Sequence, residues 1–190
     1  MIKVAITGNI ASGKSVVQAV LEKKGYKVLD TDVVGHEVLK SNSEIITAFS
    51  KYDVFNADGT VSREKLGRLV FSDKNLKKKL EAISHPIIKN KIEKFFEENS
   101  SERVVFVAIP LLFEANMQSL FDKIVLVYAN EEIRKQRLIE RNNLSAEDAQ
   151  KRISCQLPQE YKLKFADYIL ENNGSFENVK AQVERLCNLL

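Results

Sequence analysis

Five short apolar runs divide the chain, and helical periodicity fills most of the intervals between them. The runs predict strands at 2–7, 26–30, 103–109, 123–129 and 167–170. Val104 through Ile109 is almost continuously apolar, and Ile124 through Tyr128 has the same character. Such runs suit strands covered on both faces. Helices between successive strands imply parallel crossovers, so the expected class is α/β, a parallel five-stranded sheet flanked by helices.

The helical intervals differ from one another. Residues 15–24 read as a helix stopped by Gly25. Between 31 and 102 no strand is expected. Glu44 through Phe49 is helical, and Ser62 caps a helix carrying Leu66, Leu69 and Val70. Asp73 caps another that ends near His85-Pro86, and Pro86 opens the next, with Ile87, Ile88, Ile92, Phe95 and Phe96 at helical spacing. The interval is thus a helical insertion between strands two and three. Residues 131–165 are helical, broken at Asn142-Asn143 and restarted by Ser145 in a capping-box-like pattern. Two helices with a polar tip make a lid. The last helix starts near Ser175 and buries Phe176, Val179, Val183, Leu186 and Leu190. The expected organisation is one domain over 1–190. Its core is 1–30, 103–130 and 166–190, with an insertion at 31–102 and a lid at 131–165.

Composition is that of an ordinary globular chain, and a net charge of +3 gives no global argument for nucleic acid. Residues 60–95 concentrate ten Lys/Arg against four Asp/Glu, which suits an anionic ligand or a solvated helical face. Cys155 and Cys187 are far apart and form no metal spacing, as in a reducing compartment. No signal peptide precedes the first strand and no apolar run is long enough to span a bilayer. A cytoplasmic location is expected, with no membrane partner.

Gly8-Asn9-Ile10-Ala11-Ser12-Gly13-Lys14-Ser15 fits the phosphate-loop pattern G-x-x-x-x-G-K-[ST] at every fixed position. It lies between a strand and a helix start, where the backbone N–H groups of Gly8 through Val16 can cradle phosphates. Lys14 can reach the β- and γ-phosphates and the Ser15 hydroxyl can ligate Mg²⁺. A nucleoside triphosphate and Mg²⁺ are therefore expected on a P-loop NTPase fold. Asp30 and Asp32, two apart at the end of strand two, can face a ligand beyond the sheet's carboxyl edge. One could serve the metal and the other an acceptor hydroxyl; alternatively Asp32 caps a helix. Arg134, Arg137 and Arg141 share a helical face and suit either a γ-phosphate or solvent. Pro110-Leu111-Leu112-Phe113-Glu114 follows strand three, its apolar residues walling the cleft. His85 could bind substrate or be structural. Asn90-Lys91-Ile92-Glu93 resembles a guanine-reading motif but lies inside a helix, which argues against a GTPase.

Taken together, these residues resemble the dephospho-CoA kinase family. The features that carry the resemblance are Asp30-Thr31-Asp32, Ala57-Asp58-Gly59-Thr60 with Arg63, Leu66 and Phe71, and His85-Pro86. It continues through Pro110-Leu111-Leu112-Phe113-Glu114, Gln136-Arg137-Leu138, Arg141, Gln156 and Ala166-Asp167, to Asn172-Asn173-Gly174. It implies transfer of phosphate from ATP to the ribose 3′-hydroxyl of dephospho-CoA. It also implies Asp32 as base, Lys14 and Ser15 at phosphate and Mg²⁺, Arg137 and Arg141 over ATP, and the loop around Asn173 against adenine. The acceptor would meet Asp32, Arg63, Leu66, His85, Pro110 and Leu111. Two positions depart from the family's pattern. Val16 replaces a frequent Thr, and Ala108 stands where many members carry Asp, which puts more weight on Asp30 for the metal.

Overall fold

The computed structural model describes residues 1–190. The elements are β1 (Ile2–Thr7), α1 (Lys14–Lys23), β2 (Lys27–Asp30), α2 (Thr31–Ser41), α3 (Ser43–Phe49), α4 (Arg63–Ser72) and α5 (Lys74–Glu98). They continue with β3 (Val104–Ala108), a 3₁₀ turn at Gln118–Leu120, β4 (Lys123–Tyr128), α6 (Glu131–Asn142), α7 (Ala146–Ser154), α8 (Gln159–Leu163), β5 (Tyr168–Glu171) and α9 (Phe176–Leu189). All five strands are parallel, in the order β2-β3-β1-β4-β5. From β1 the chain crosses towards β2, and from β3 it crosses the other way to β4. The loops leaving neighbouring β1 and β3 therefore diverge, which is where an open α/β sheet binds its ligand.

Tertiary contacts divide the chain into two compact units, Met1–Asp30 with Phe96–Leu190, and Thr31–Phe95. In the first, Val4 and Ile6 of β1, Phe106 of β3 and Val125 and Val127 of β4 share one buried cluster with Val17, Val20 and Leu21 of α1 and Val179, Val183 and Leu186 of α9. Each such side chain contributes about 1.5–3 kcal/mol when fully buried. Gly25, with φ of 87°, ends α1 in the left-handed conformation that a β-carbon disfavours.

The second unit closes around Val34, Val38, Ile45, Phe49, Val54, Val61 and Leu66, all buried. Asn42 and Ser62 cap α3 and α4 by accepting from the Ile45 and Lys65 amides. Asp73 Oδ1 accepts from the Asn75 and Leu76 amides at 2.7 and 3.2 Å.

Two expectations for this stretch are corrected. The helix begun after Asp73 does not end at Pro86, because α5 runs on through it as one helix of 25 residues. Proline costs the helix one rung, the bond to the Ala82 carbonyl, and cooperative propagation on both sides carries the helix across the gap. A single antiparallel bridge, Phe55 to Val61, also appears where no strand was expected. Its turn is fixed by Asp58, whose Oδ1 accepts from the Thr60 amide at 3.0 Å and the Thr60 hydroxyl at 2.6 Å, with Gly59 at φ of 79°. The Thr60 hydrogen bonds hold the Asp58 carboxyl below its usual range.

Candidate active site

The loop from Gly8 to Ser15 begins where β1 ends. Both of its pattern glycines are required by close approach. A β-carbon on Gly8 would lie 2.7 Å from the Val127 carbonyl and run into Ser12 Oγ. Gly13 has φ of 94°, and a β-carbon there would run into the Asn172 carboxamide. Ala11 is also left-handed, at φ of 62°, a conformation costing about 1–3 kcal/mol for a residue with a side chain. The loop is folded by the Ser12 amide donating to Asn9 O at 3.0 Å and the Val16 amide donating to Gly13 O at 2.9 Å. Gly13 is the N-cap of α1 and supplies no side-chain cap. The amides of Lys14 and Ser15 open the first turn, where no intrahelical acceptor exists, and the helix dipole places partial positive charge there. Half-buried Lys14 and exposed Ser15 complete a set of donors suited to phosphate.

Side chains from the rest of the sheet unit brace this loop from outside. Asn172 Nδ2, 6% exposed as a residue, donates to Ser12 O at 2.8 Å. Arg137 donates to Ala11 O at 3.4 Å and to Asn172 O at 2.9 Å. Asn9 Nδ2 donates to Leu157 O at 2.9 Å, and Gln156 Oε1 accepts from the Ile10 amide at 2.6 Å. Leu138, Ala149 and Ile153 form a small core against Ile10 and Ala11. The helices of 131–165 are thus packed directly on the loop. Asn173 Oδ1 accepts from the Asn130 amide at 2.8 Å. Beside it a groove of about 440 Å³ is lined by Glu171, Asn173, Gly174, Asn178, Gln182 and Arg185.

The three arginines of α6 divide by burial. Arg134, weighed as a phosphate or solvent residue, is neither. It is 2% exposed, donates through Nε to Ala129 O at 3.1 Å and lies 3.6 Å from Glu131. Burial pulls its guanidinium down from its ordinary value. It folds back over its own helix start because Ala129 O lies one turn away. Arg137 is half-buried in the brace just described. Arg141, in the last turn, is exposed and donates to Asn142 Oδ1 at 3.0 Å.

At the carboxyl edge of the sheet, Ala108 pairs with Ile6 on one side and Asp30 on the other. The Ala108 side chain brings no oxygen there, whereas the Asp30 carboxyl brings two. The Thr7 hydroxyl donates to Pro110 O at 3.4 Å, tying the exits of β1 and β3. Leu111 is exposed. Glu114 Oε1 accepts from the Leu157 amide at 3.2 Å and lies 2.9 Å from the ammonium of Lys162, which is 0% exposed. Asp32 sits exposed in the first turn of α2, which follows β2 without a break.

In the second unit, Arg63 is exposed at the first position of α4. Its neighbours are committed: Lys65 to Asp53 at 2.7 Å and Phe55 O at 3.1 Å, and Arg68 to Glu64 at 3.4 Å. Leu66 is 1% exposed and belongs to that unit's core. His85 is half-buried within α5. Sequence reasoning assigned no role to Lys162, Gln156 or Asn172. Gln156 and Asn172 stood among the residues of the family resemblance, and that was their only signal. Lys162 had none.

Known proteins of one family resemble this chain in sequence and in fold. The family model for dephospho-CoA kinase matches residues 2–178. A dephospho-CoA kinase of Listeria innocua is 40% identical over 197 residues, covering 97% of this chain and 97% of the relative. A Thermus thermophilus structure superposes with a TM-score of 0.83 at 36% identity, covering 100% of this chain and 97% of that one. The structure of dephospho-CoA kinase from Campylobacter jejuni gives 0.75 at 31% identity, covering 98% and 95%. With the family pattern matched over residues 2–178 and such relatives aligned over nearly their full length, this chain belongs to the dephospho-CoA kinase family.

Proposed function

We propose that the protein transfers the γ-phosphoryl group of ATP to the ribose 3′-hydroxyl of dephospho-CoA, releasing coenzyme A and ADP. Family membership makes the chain a phosphotransferase with a nucleotide donor and an alcohol acceptor. The observation that carries the donor half is the Gly13 start of α1, a helix N-terminus without a side-chain cap and with Lys14 and Ser15 in its first turn. In the transfer the acceptor oxygen forms a bond to the γ-phosphorus as the bond to the bridging oxygen of ADP breaks. Asp32 takes the hydroxyl proton or holds that hydroxyl in line. Lys14 neutralises charge on the β- and γ-phosphates, and Arg141 comes over the γ-phosphate as the lid closes, where a guanidinium meets charge that moves in the transition state.

Mg²⁺ is the proposed metal. The proposed donors, the Ser15 hydroxyl and the Asp30 carboxylate, are both hard oxygens. No cluster of three or more His, Cys, Asp or Glu forms a cage. That fits an ion held by one or two protein oxygens together with substrate phosphates and water. Bound there, it would supply charge neutralisation on the transferring phosphates. The acceptor is a small molecule and neither a nucleic acid nor a membrane. Free Cys155 and Cys187 support a reducing, cytoplasmic setting, and no helix is long and apolar enough to cross a membrane. Arg63, His85, Pro110 and Leu111 are proposed for the acceptor, with buried Leu66 holding the helix that carries Arg63, and Asn173 is proposed for adenine. ADP release measured with a panel of acceptors tests the reading. Release that depends on dephospho-CoA is expected, and equal release with nucleoside monophosphates contradicts it.

A further inference from the structure

We propose that Asn172 and Arg137 are positioning residues that aim the N–H groups of the phosphate loop, a role that rests on reading that loop as the ATP site. The C=O and N–H of one planar trans peptide point in opposite directions. Ser12 O belongs to the peptide that carries the Gly13 N–H. Drawing that oxygen to Asn172 Nδ2, at 2.8 Å, turns the Gly13 N–H the other way. Ala11 O is likewise drawn to Arg137 at 3.4 Å. The N–H of that peptide, on Ser12, turns back into the loop and meets Asn9 O at 3.0 Å.

Both braces approach the loop as donors to carbonyls, so neither consumes an N–H. Gln156 does the opposite, spending the Ile10 N–H on its own oxygen. The two donors also act as one part, because Arg137 donates to Asn172 O at 2.9 Å. Asn172 is held in turn by its amide donating to Tyr128 O at 2.8 Å. Its carboxamide fills the space beside Gly13 that a β-carbon would need. The phosphate end of the site is thereby tied to the loop after β5, which also carries Asn173.

The test uses the full chain with Asn172→Ala, Asn172→Asp and Arg137→Ala, and compares three quantities. These are affinity for tripolyphosphate and for ATP by titration calorimetry with Mg²⁺, the KM for each substrate, and the urea midpoint without ligand. A lost donor to a buried carbonyl should weaken tripolyphosphate and ATP by about tenfold or more. The acceptor KM should stay within about twofold, since the hydrogen bonds of Arg137 and Asn172 go to the phosphate loop, to each other and to Tyr128. Asn172→Asp keeps the size but presents no donor when ionised, so it should be as impaired as Asn172→Ala. Combining Asn172→Ala with Arg137→Ala should cost less than the sum of the two. A lowered urea midpoint with unchanged tripolyphosphate affinity would make these residues merely structural and overturn the proposal. If Asn172→Ala does not fold, half-buried Arg137→Ala decides by the same criterion. Should the unaltered protein bind ATP and tripolyphosphate yet ignore dephospho-CoA, the proposed acceptor falls while the positioning role stands or falls on its own affinities.

Discussion

Lys14 opens α1 with an ammonium on a half-buried stem, at the turn where the helix leaves its amides unpaired. Lys14→Ala should abolish transfer and weaken ATP binding while leaving the fold intact, because the loop glycines and the outside braces do not depend on it. Near-normal turnover by a folded Lys14→Ala variant would remove the donor site from the account. Asp32→Asn keeps the size of the side chain but cannot take a proton. It should lower kcat by about 10²–10⁴-fold with ATP affinity largely kept. A rise in acceptor KM at unchanged kcat would instead assign Asp32 to binding. At this scale the sequence was informative wherever chemistry constrains spacing. Gly8 and Gly13 are legible because the backbone must pass Val127 and Asn172 closely. Arg134 was not legible, since its helical spacing is that of Arg137 and Arg141 and only burial separates them. Asn172 stood out only through the family resemblance, and its contact with the loop was not legible, because its partner Ser12 lies 160 residues away.

The elements that carried local signals formed with the strands within a residue or two, the caps at Ser62, Asp73 and Ser145 in place and the last helix starting beside Ser175, but Phe176, expected in that helix's buried stripe, is 53% exposed, and only Val179, Val183, Leu186 and Leu190 are buried. Pro86 misled because a proline is a strong stop signal in a short helix and a tolerated gap in a long one. The hairpin at 55–61 was missed because one bridge is too short to show alternation. The link between α8 and the loop after β3 has no local signal at all. Lys162, fully buried, pairs with Glu114, which also accepts from the Leu157 amide between α7 and α8. Lys162→Ala leaves that carboxylate without its cation and should cost about 3–5 kcal/mol in urea unfolding. Lys162→Met, which keeps the packing of the stem, should still be destabilised by the stranded Glu114. Restoring stability with Glu114→Gln in the same chain would identify the charge as the cause. Unchanged stability in Lys162→Ala would mean that the pair is solvated and does not hold the loop.

At the scale of the whole molecule, the sheet unit and the helical unit divide the expected labour. The phosphate loop, helices α6 to α8 and the loop after β5 all belong to the first unit, and the basic helices α4 and α5 supply about half of the second. Of the three basic residues at the start of α4, Lys65 and Arg68 already have partners, which leaves Arg63 for an anionic acceptor. Arg63→Ala should therefore raise the KM for dephospho-CoA with ATP affinity unchanged, and the difference from the unaltered protein should shrink as salt screens the exposed charge. An unchanged acceptor KM at low salt would take Arg63 out of the site. The division of labour ends in one chemical fact, the position of the transferred phosphate. Phosphorus-proton correlation NMR on the product made from ATP and dephospho-CoA reads it directly. The account predicts a new phosphomonoester coupled to the ribose 3′ proton. A phosphate found anywhere else on the acceptor, or no product with dephospho-CoA while another alcohol is phosphorylated, would contradict it.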